Sequence, residues 1–304
     1  MNPNCFSLPR LTAGLCLALM PLPALGIINF GLDNSGNLTD PGTGAPFDAV
    51  ARVSSSGGGS PAGSAIHLGN GYMLTADHVA NRSHVSFDGT IEYARDTSFA
   101  PVQVAPGVDM KVFRLNTTPS VSAVKLLDSS TELIAEATMV GWGRGRDSTV
   151  PVNSATVSWG GDSTIDKRWG LNVPRATLLV DYSFGGKDYE FAGLGTVLGS
   201  DSDTPAGLGA NEGALTTYDS GSGLFQLISG EWSLIGVAVT VQTNGSSTFA
   251  GDSLDDATRG DLNAYARVST YHDAIVGIVP EARNFALLFG LLAAGVACAR
   301  RRFA

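Results

Sequence analysis

Three short motifs contain residues that could carry out nucleophilic chemistry. His78 follows a predicted strand within residues 71–79, where an imidazole can be held at a strand end and still reach solvent. Ser220 lies in the Gly- and Ser-rich turn of residues 218–223, which could expose its hydroxyl and direct backbone N–H groups into one concavity. Asp109 precedes an apolar strand, so its carboxylate could lie partly buried beside an imidazole. Taken alone, His78 is better explained as a structural histidine, the segment around Ser220 as a common turn, and Asp109 as a turn residue.

The order of these motifs along the chain changes their interpretation. They occur as His, Asp and then Ser, an arrangement that closely resembles the trypsin-like (chymotrypsin-fold) serine proteases. The resemblance covers roughly residues 63–275. Four further segments match the family: Gly63-Ser64 before the strand that leads to His78, Gly141-Trp142-Gly143, residues 232–237 after the serine, and residues 265–269 before a closing helix.

The resemblance implies a fold and a set of roles. The fold would be all-β, with two packed six-stranded antiparallel β-barrels and a short C-terminal helix. Ser220 would be the nucleophile, His78 would take its proton and later pass it to the leaving amine, and Asp109 would orient the imidazole. The backbone N–H groups of Tyr218 and Ser220 would form the oxyanion hole. Asp77, next to His78, points the other way along an extended chain and is not assigned the orienting role.

Two features depart from the family pattern. Tyr218 stands where the family has Gly, and a bulky residue in the backbone conformation that Gly permits costs about 1–3 kcal/mol. The three cysteines, Cys5, Cys16 and Cys298, lie at the ends of the chain, which excludes a disulfide scaffold and a Cys-ligated zinc site in the body. Packing alone must therefore hold both barrels together, which is feasible at this chain length.

The substrate pocket can be read from the same resemblance. Its floor, six residues before the nucleophile in the family, is Ala214 here, so no carboxylate is available to pair with a substrate Lys or Arg. An ungapped match after Ser220 places Val239 and Val241 on the edge strand that meets the substrate backbone. Val241 and Asn263 would occupy wall positions that are Gly in wide-pocket members. A shallow pocket that prefers a small or aliphatic residue before the cut bond is therefore predicted.

Asp219, immediately before Ser220, suggests a route of activation. In the family, a newly freed N-terminal amine commonly pairs with the Asp at this position. Cleavage after Gly26 would expose Ile27, so removal of a signal peptide would supply such an amine. In the alternative, side chains satisfy Asp219 and Ile27 begins a loose arm.

Short strands must position these residues. Runs rich in β-branched residues and bounded by turn residues predict strands at 65–68, 111–115, 138–140, 176–180 and 234–239. Helical periodicity is scarce, and the best candidate is residues 268–276 with Ser269 as its N-cap. Glycine accounts for 38 of 304 residues and only 15% of residues are charged, which favours an all-β domain over a helical bundle or a disordered chain.

Residues 1–26 are typical of a secretory signal peptide. Arg10 is the only charge before an apolar run at residues 11–22, and residues 24–26 include the small side chains that a signal peptidase needs. In a lipoprotein, Cys16 would instead be modified, but Leu15 before it is too bulky for that site.

Residues 280–304 have the features of a second targeting segment. A Pro-Glu-Ala motif is followed by an apolar run at 285–299 and three arginines at 300–302. This order resembles the PEP-CTERM sorting signal of Gram-negative, exopolysaccharide-producing bacteria, with Ala282 in place of the second Pro. A tail anchor and a last core helix are the alternatives. The resemblance implies export through the inner membrane, transient anchoring, and delivery to the envelope, surface or extracellular matrix.

The protease-like domain would thus span residues 27–279, and it is acidic. The two ends hold five of the 19 basic and one of the 28 acidic residues, which leaves 14 basic and 27 acidic residues in the domain. This balance disfavours nucleic acid and anionic lipid as partners. His67, His84 and His272 lack metal-ligand spacing, and acidic loops at 33–40 and 252–256 are better explained as turns than as calcium sites, so no metal or cofactor is assigned.

Two functions from different classes fit the sequence. The first is an exported serine endopeptidase whose partners are protein or peptide substrates, the export machinery and a membrane protease that processes the sorting signal. The second is a non-catalytic, surface-displayed module on the same fold that binds peptides or proteins, with Tyr218 having closed the oxyanion hole. A monomer is expected in either case.

Overall fold

The computed structural model describes residues 16–18, 27–200, 208–251 and 257–279 of the chain. In these ranges one α-helix, α1 (Val268–Ile278), follows a succession of strands. Short 3-10 turns occur at Phe47–Ala49, Ser56–Gly58, Asp162–Thr164 and Gly209–Asn211. The strands are β1 (Cys16–Ala18), β2 (Ile28–Asn29), β3 (Val50–Ser54), β4 (Pro61–Gly69), β5 (Tyr72–Thr75), β6 (His84–Ser86), β7 (Glu92–Ala94), β8 (Val102–Gln103), β9 (Lys111–Arg114), β10 (Lys125–Leu126), β11 (Ala137–Gly143), β12 (Thr156–Ser158), β13 (Asp166–Asn172), β14 (Pro174–Phe184), β15 (Lys187–Val197), β16 (Gly213–Ala214), β17 (Gly223–Ile228), β18 (Glu231–Val241), β19 (Ser246–Thr248) and β20 (Leu262–Arg267).

The first barrel is a ring of six antiparallel strands. Neighbouring strands follow the order β3-β4-β5-β9-β7-β6, and β6 pairs back onto β3. The ring closes between β7 and β9, where Arg95 pairs with Leu115 and the Asp96 N–H donates to the Arg114 carbonyl at 2.8 Å. The short strand β8 adds to the other edge of β9.

The second barrel has the same strand order. Only Val173 separates β13 from β14, so these two strands form one long bent strand that pairs first with β11 and then with β15. The ring continues through β15, β20, β18 and β17 back to β11. If the bent strand is counted as one, the six strands of either ring follow one another around the barrel in the same sequence: the first, second, third, sixth, fifth and fourth strand along the chain. The predicted all-β architecture of two six-stranded barrels and a short C-terminal helix is therefore confirmed.

Besides β8, six short strands lie outside the two rings. Strand β1 runs parallel to the outer edge of β14, and β10 runs parallel to β18. Strands β2 and β16 form one small antiparallel pair, and β12 and β19 form another. All five runs predicted as strands fall in observed strands of the two barrels, except that Leu115 lies one residue beyond the end of β9.

The structure has two hydrophobic clusters, and the first of them joins the two barrels, because it also contains buried residues of β11, β17, β18 and β20. The first cluster includes Ile66, Leu74 and Val112 of the first barrel, but also Tyr182 and Tyr189 of β14 and β15. The second cluster is built from the second barrel and includes β2. The hairpin formed by β14 and β15 therefore extends from the second barrel into the packing of the first.

Helix α1 begins where the sequence predicts, but the predicted N-cap is wrong. Arg267 occupies the N-cap position, and no side chain caps the helix there. Strand β20 ends at Arg267 and runs into the helix without a loop, so Ser269 lies inside the first turn. Its hydroxyl donates instead to the buried Glu132 Oε1 at 2.7 Å.

Both predicted targeting segments stay predictions. Apart from β1, residues 1–26 lie outside the described residues, and so do residues 280–304. Among the residues that the structure describes, no helix is long and apolar enough to cross a membrane.

Candidate active site

His78, Asp109 and Ser220 form one continuous chain of hydrogen bonds between the two barrels. His78 Nδ1 lies 2.6 Å from Asp109 Oδ2, and His78 Nε2 lies 2.7 Å from Ser220 Oγ. With the proton on Nδ1, the imidazole donates to the carboxylate and accepts from the hydroxyl. The exposed fractions of Asp109 and Ser220 are 0% and 2%. The structure therefore brings together the three side chains predicted as catalytic.

Asp109 is a buried carboxylate that is held ionised. Its Oδ1 accepts from the backbone N–H of His78 at 2.9 Å, and its Oδ2 accepts from the His78 ring and from the Tyr182 hydroxyl. Burial alone would raise the pKa of Asp109, but the charge of His78 and these hydrogen bonds hold the pKa below its ordinary value. The site therefore contains a fixed negative charge directed at the imidazole.

Lys111 fixes the backbone on both sides of His78. Its ammonium group donates to the Asp77 carbonyl at 2.8 Å and to the Val79 carbonyl at 2.5 Å. Burial lowers the pKa of Lys111 to about 8, although the charges of Asp77 and Asp109 oppose this shift. The segment 109–111 at the start of β9 therefore supplies both the carboxylate and the clamp for the histidine backbone.

Ser64 on β4 of the first barrel holds the turn that carries Ser220 of the second. The Ser64 N–H donates to the Ser220 carbonyl at 2.8 Å, and the Ser64 hydroxyl donates to the Tyr218 carbonyl at 3.1 Å. A side chain at Gly63 would collide with this turn, since a Cβ there would lie 2.7 Å from the Ser220 carbonyl oxygen and 2.8 Å from Val79 Cγ2. The Gly63-Ser64 pair therefore docks the two barrels at Ser220.

Tyr218 adopts the backbone conformation that its position in the turn demands. Its φ is +79°, and the turn is closed by the Asp219 N–H, which donates to the Thr216 carbonyl at 3.4 Å. That φ value is typical of the third residue of a type II turn, where a non-glycine residue costs about 1–2 kcal/mol. The Arg144 guanidinium lies 5.7 Å from the centre of the Tyr218 ring, a contact worth about 0.5–1 kcal/mol at exposed sites. The strain at Tyr218 is therefore present and partly offset.

The side-chain carboxylate of Asp219 is buried without a hydrogen-bonded partner among the described residues. It is 0% exposed, and neither carboxylate oxygen has a hydrogen bond among the described residues. Burial raises its pKa well above the ordinary value, and the Thr216 backbone and the charge of Arg168 offset this only in part. Ile27 is also fully buried, and Ile28 after it pairs with Ala214, so Ile27 does not begin a loose arm. Pairing of Asp219 with a freed amine at Ile27 stays a prediction.

The four residues predicted to line the substrate pocket are all enclosed. Ala214, Val239, Val241 and Asn263 are 0%, 1%, 3% and 1% exposed. Val241 pairs with Asn263, whose Oδ1 accepts from the N–H of Leu215 at 3.3 Å, so three of the four are close neighbours. At residues 239–241, β18 pairs only with β20 among the described strands, so its other edge has no strand partner there. The preference for small or aliphatic residues stays a prediction.

Sequence reasoning missed the contribution of the β14–β15 hairpin. Tyr182 donates to Asp109, and Lys187 and Tyr189 donate to Asp77 Oδ2 at 2.7 and 2.9 Å. Asp77 thus faces away from the imidazole, as predicted, towards this hairpin. The aromatic residues of β14 and β15 are ordinary for buried strands, so only the pairing of remote strands identifies them.

No metal site is evident in the part of the chain that the structure describes. No group of three or more His, Cys, Asp or Glu side chains there could hold an ion. In the first acidic loop, Asp33 Oδ1 accepts from the N–H of Ser35 at 2.9 Å and of Gly36 at 3.1 Å, which is turn chemistry. The second acidic loop, residues 252–256, lies outside the described residues.

Comparison with known proteins identifies similar folds only. No protein-family model matches the sequence, and no curated protein matches it. The Rv3671c protease from M. tuberculosis in its active form matches with a TM-score of 0.47 and 13% identity, over 86% of this chain and 92% of that chain. Glu endopeptidase in complex with MPD matches with a TM-score of 0.47 and 11% identity, over 83% of this chain and 99% of that chain.

The NS6 protease from murine norovirus 1 is a further similar structure, with a TM-score of 0.40 and 14% identity, over 76% of this chain and 94% of that chain. Similarity at this level carries no inference about activity. The function of this chain must therefore be judged from the geometry of its own residues.

Proposed function

We propose that this chain is a serine endopeptidase that cleaves peptide bonds through an acyl-enzyme. One observation carries the proposal: the buried carboxylate of Asp109, the imidazole of His78 and the hydroxyl of Ser220 are linked by contacts of 2.6 and 2.7 Å. A nucleophile next to a base that a third group orients is the arrangement that activates a serine hydroxyl. A purely structural serine has no need of an oriented base.

The reaction follows from these contacts. Ser220 Oγ forms a bond to the scissile carbonyl carbon while its proton moves to His78 Nε2. The carbonyl oxygen becomes an oxyanion, for which we propose the backbone N–H groups of Tyr218 and Ser220 as donors. When the C–N bond breaks, Nε2 returns the proton to the leaving amine. Water then attacks the ester carbon while His78 Nε2 takes its proton, and Nε2 returns that proton to Ser220 Oγ as the ester bond breaks and the acid product leaves. Asp109 stabilises the protonated imidazole each time it forms.

The substrate would bind as an extended strand along residues 239–241, because that edge of β18 has no partner strand among those described. We propose a small or aliphatic residue before the cut bond. Ala214 at the pocket floor provides no charge, and the amide of Asn263 is occupied by contacts of 3.3 Å to Leu215 N and 3.2 Å to Thr196 Oγ1. A strong preference for Lys or Arg in a positional peptide library would contradict this specificity.

We also propose that the protein is exported and acts as a monomer. The predicted signal peptide at 1–26 and sorting segment at 280–304 support delivery to the envelope, surface or matrix of a Gram-negative bacterium, with transient anchoring. Its partners would then be protein or peptide substrates, the export machinery and a processing protease of the membrane.

A fluorophosphonate probe tests the proposed activity, because it labels only an activated serine. We expect labelling of the wild type and none of Ser220→Ala. Ser222→Ala is the matched control: Ser222 lies in the same turn, is equally buried, and its hydroxyl has no hydrogen-bond partner among the described residues. Labelling of this control should persist. A folded wild type that is never labelled would refute the enzyme and favour the non-catalytic binding module.

A further inference from the structure

The β14–β15 hairpin of the second barrel ends against the first barrel beside His78. Each of its strands is 11 residues long, and its two turn residues, Gly185 and Gly186, have φ values of +61° and +80°. Two positive φ values are what a tight two-residue hairpin turn requires, so the tip has a defined geometry. The ring of Phe184 at the tip lies 5.1 Å from the ring of His78.

Asp77 of the first barrel anchors this tip. Its Oδ2 accepts from the Lys187 ammonium group at 2.7 Å and from the Tyr189 hydroxyl at 2.9 Å. Asp77 itself is 9% exposed, whereas Lys187 is largely exposed. The hairpin is therefore fixed to the residue that directly precedes His78.

Within the anchored hairpin, Tyr182 points its hydroxyl at Asp109 Oδ2. Its ring packs 5.3 Å from that of Tyr189 and 6.3 Å from that of Phe191, which leaves it little freedom to turn away. Burial and the nearby Asp109 charge raise the pKa of Tyr182, so its hydroxyl keeps its proton and remains a donor.

We propose that Tyr182 is a positioning residue for the catalytic triad, which rests on the proposed function of Ser220, His78 and Asp109. Asp109 Oδ2 must face His78 Nδ1, and the hydroxyl of Tyr182 holds that oxygen in place from the second barrel. The same hydrogen bond withdraws negative charge from the carboxylate. Tyr182 therefore sets both the orientation of Asp109 and the strength with which it stabilises a protonated imidazole.

This second effect has a measurable sign. Without the Tyr182 hydroxyl, the carboxylate of Asp109 carries more negative charge and stabilises the protonated imidazole more strongly. The essential base is then protonated at a higher pH, so the acidic limb of the pH–rate profile moves upward. The other charged groups near the site are Asp77, Lys111 and Lys187, and their hydrogen bonds to one another and to the backbone do not involve the Tyr182 hydroxyl.

The test is the rate of fluorophosphonate labelling against pH for the wild type and Tyr182→Phe. We expect the limiting rate to fall roughly tenfold, or about 1.4 kcal/mol in the barrier. We expect the acidic limb to move up by about half a pH unit. Replacing Tyr182 with 3-fluorotyrosine keeps the ring and makes the hydroxyl a stronger donor, so it should move the limb to lower pH. That variant keeps the proposal testable if the phenylalanine variant fails to fold.

Tyr189→Phe is the matched control, since it removes a hydroxyl from the same hairpin that bonds to Asp77 and not to Asp109. Tyr189→Phe should lose about as much stability as Tyr182→Phe, while the acidic limb of its pH–rate profile should stay at the wild-type pH. If the acidic limb of Tyr182→Phe lies at the same pH as that of the wild type, and the limiting labelling rates agree within twofold, the positioning role is overturned. A wild type without any labelling would instead overturn the proposed function, so the two failures are distinguishable.

Discussion

Replacing Asp219 with asparagine should stabilise the protein as long as residue 27 is not a chain terminus. Asp219 is fully buried, and its carboxylate has no hydrogen bond among the described residues. Its raised pKa means that burial favours the protonated acid. Asparagine has nearly the same shape and no charge to desolvate, so the variant avoids the cost of desolvating or protonating a carboxylate.

The ordinary pKa of aspartic acid sets the upper limit of the stabilisation by Asp219→Asn. Holding an ordinary aspartic acid protonated at pH 7 costs about 4 kcal/mol, which is the upper limit of the gain. The charge of Arg168 and the Thr216 backbone already offset part of that cost. We therefore expect Asp219→Asn to raise the free energy of unfolding by about 2–4 kcal/mol at pH 7.

The dependence on pH has a definite sign. A carboxyl group whose pKa is raised in the folded state contributes stability that is fully present below its unfolded pKa of about 3.9. That contribution is lost as the pH rises through the folded value. Urea unfolding at pH 4.5 and pH 7 should thus show the wild type losing stability towards neutral pH, and Asp219→Asn losing less. A variant that is destabilised, or that keeps the wild-type dependence on pH, would refute this account of Asp219.

In a chain that begins at Ile27, Asp219→Asn should destabilise the protein instead of stabilising it. A Cβ at Gly170 would lie 2.9 Å from Ile27 Cγ2, and one at Gly141 would lie 2.1 Å from Asp219 Oδ1. Gly141 pairs with the residue two before Gly170 on β13, so the glycines are diagonal neighbours about 7–8 Å apart. The side chains of Ile27 and Asp219 therefore pack against neighbouring positions of β13 and β11, and pairing of a freed Ile27 amine with Asp219 is the prediction to be tested.

If that amine pairs with Asp219, asparagine leaves a buried charge without a partner. Asp219→Asn should then destabilise the processed form by about 3–5 kcal/mol. The measurement compares urea unfolding of the form that starts at Ile27 with that of a form extended by two residues. Equal stabilisation of both forms would show that the amine does not pair with Asp219.

Two further substitutions probe the packing around the site. Gly221→Ala should abolish probe labelling and cost more than 2 kcal/mol in urea unfolding, because its Cβ would lie 2.1 Å from the Ser64 carbonyl oxygen. Gly230→Ala, which has the same sign of φ but open space around it, should cost only about 1 kcal/mol. Glu132→Gln should cost about 3 kcal/mol at pH 7, because Glu132 is fully buried and accepts from Arg267 at 2.6 Å. Burial would raise the pKa of Glu132, yet its hydrogen bonds lower it, so the wild type should lose this stability on acidification below about pH 4 while the variant does not.

Local patterns in the sequence predicted five strand runs, whereas the three proposed triad residues were identified by their order along the chain and the resemblance that this order carries. Runs such as 111–115 and 234–239 are rich in β-branched residues and bounded by turn residues. This pattern depends only on residues that are close together in the sequence. Asp109 precedes such a run and His78 ends a predicted strand, whereas Ser220 lies in a Gly- and Ser-rich turn, so the local environment of each could be predicted from its neighbours. Their order along the chain then predicted one site, and the structure places them within hydrogen-bonding distance.

Residues that act across remote strands could not be predicted in this way. Tyr182 is 73 positions from Asp109, and its contact depends on how far β14 extends beyond the second barrel. Ser269 has the chemistry of an N-cap, but Glu132, 137 residues away, binds its hydroxyl. In both cases propensity describes a residue correctly, and tertiary contacts decide its partner.

The geometry of the site depends on contacts that join the two barrels in opposite directions. From the first barrel, Ser64 holds the turn of Ser220 by a bond of 2.8 Å to its carbonyl. From the second barrel, Tyr182 holds the carboxylate of Asp109. A change that separates the barrels therefore displaces both Ser220 and Asp109, because each of them is held by a residue of the other barrel. A cysteine-free body has no covalent bond to prevent such a separation, so these polar contacts and the shared aromatic packing of the hairpin must keep the triad aligned.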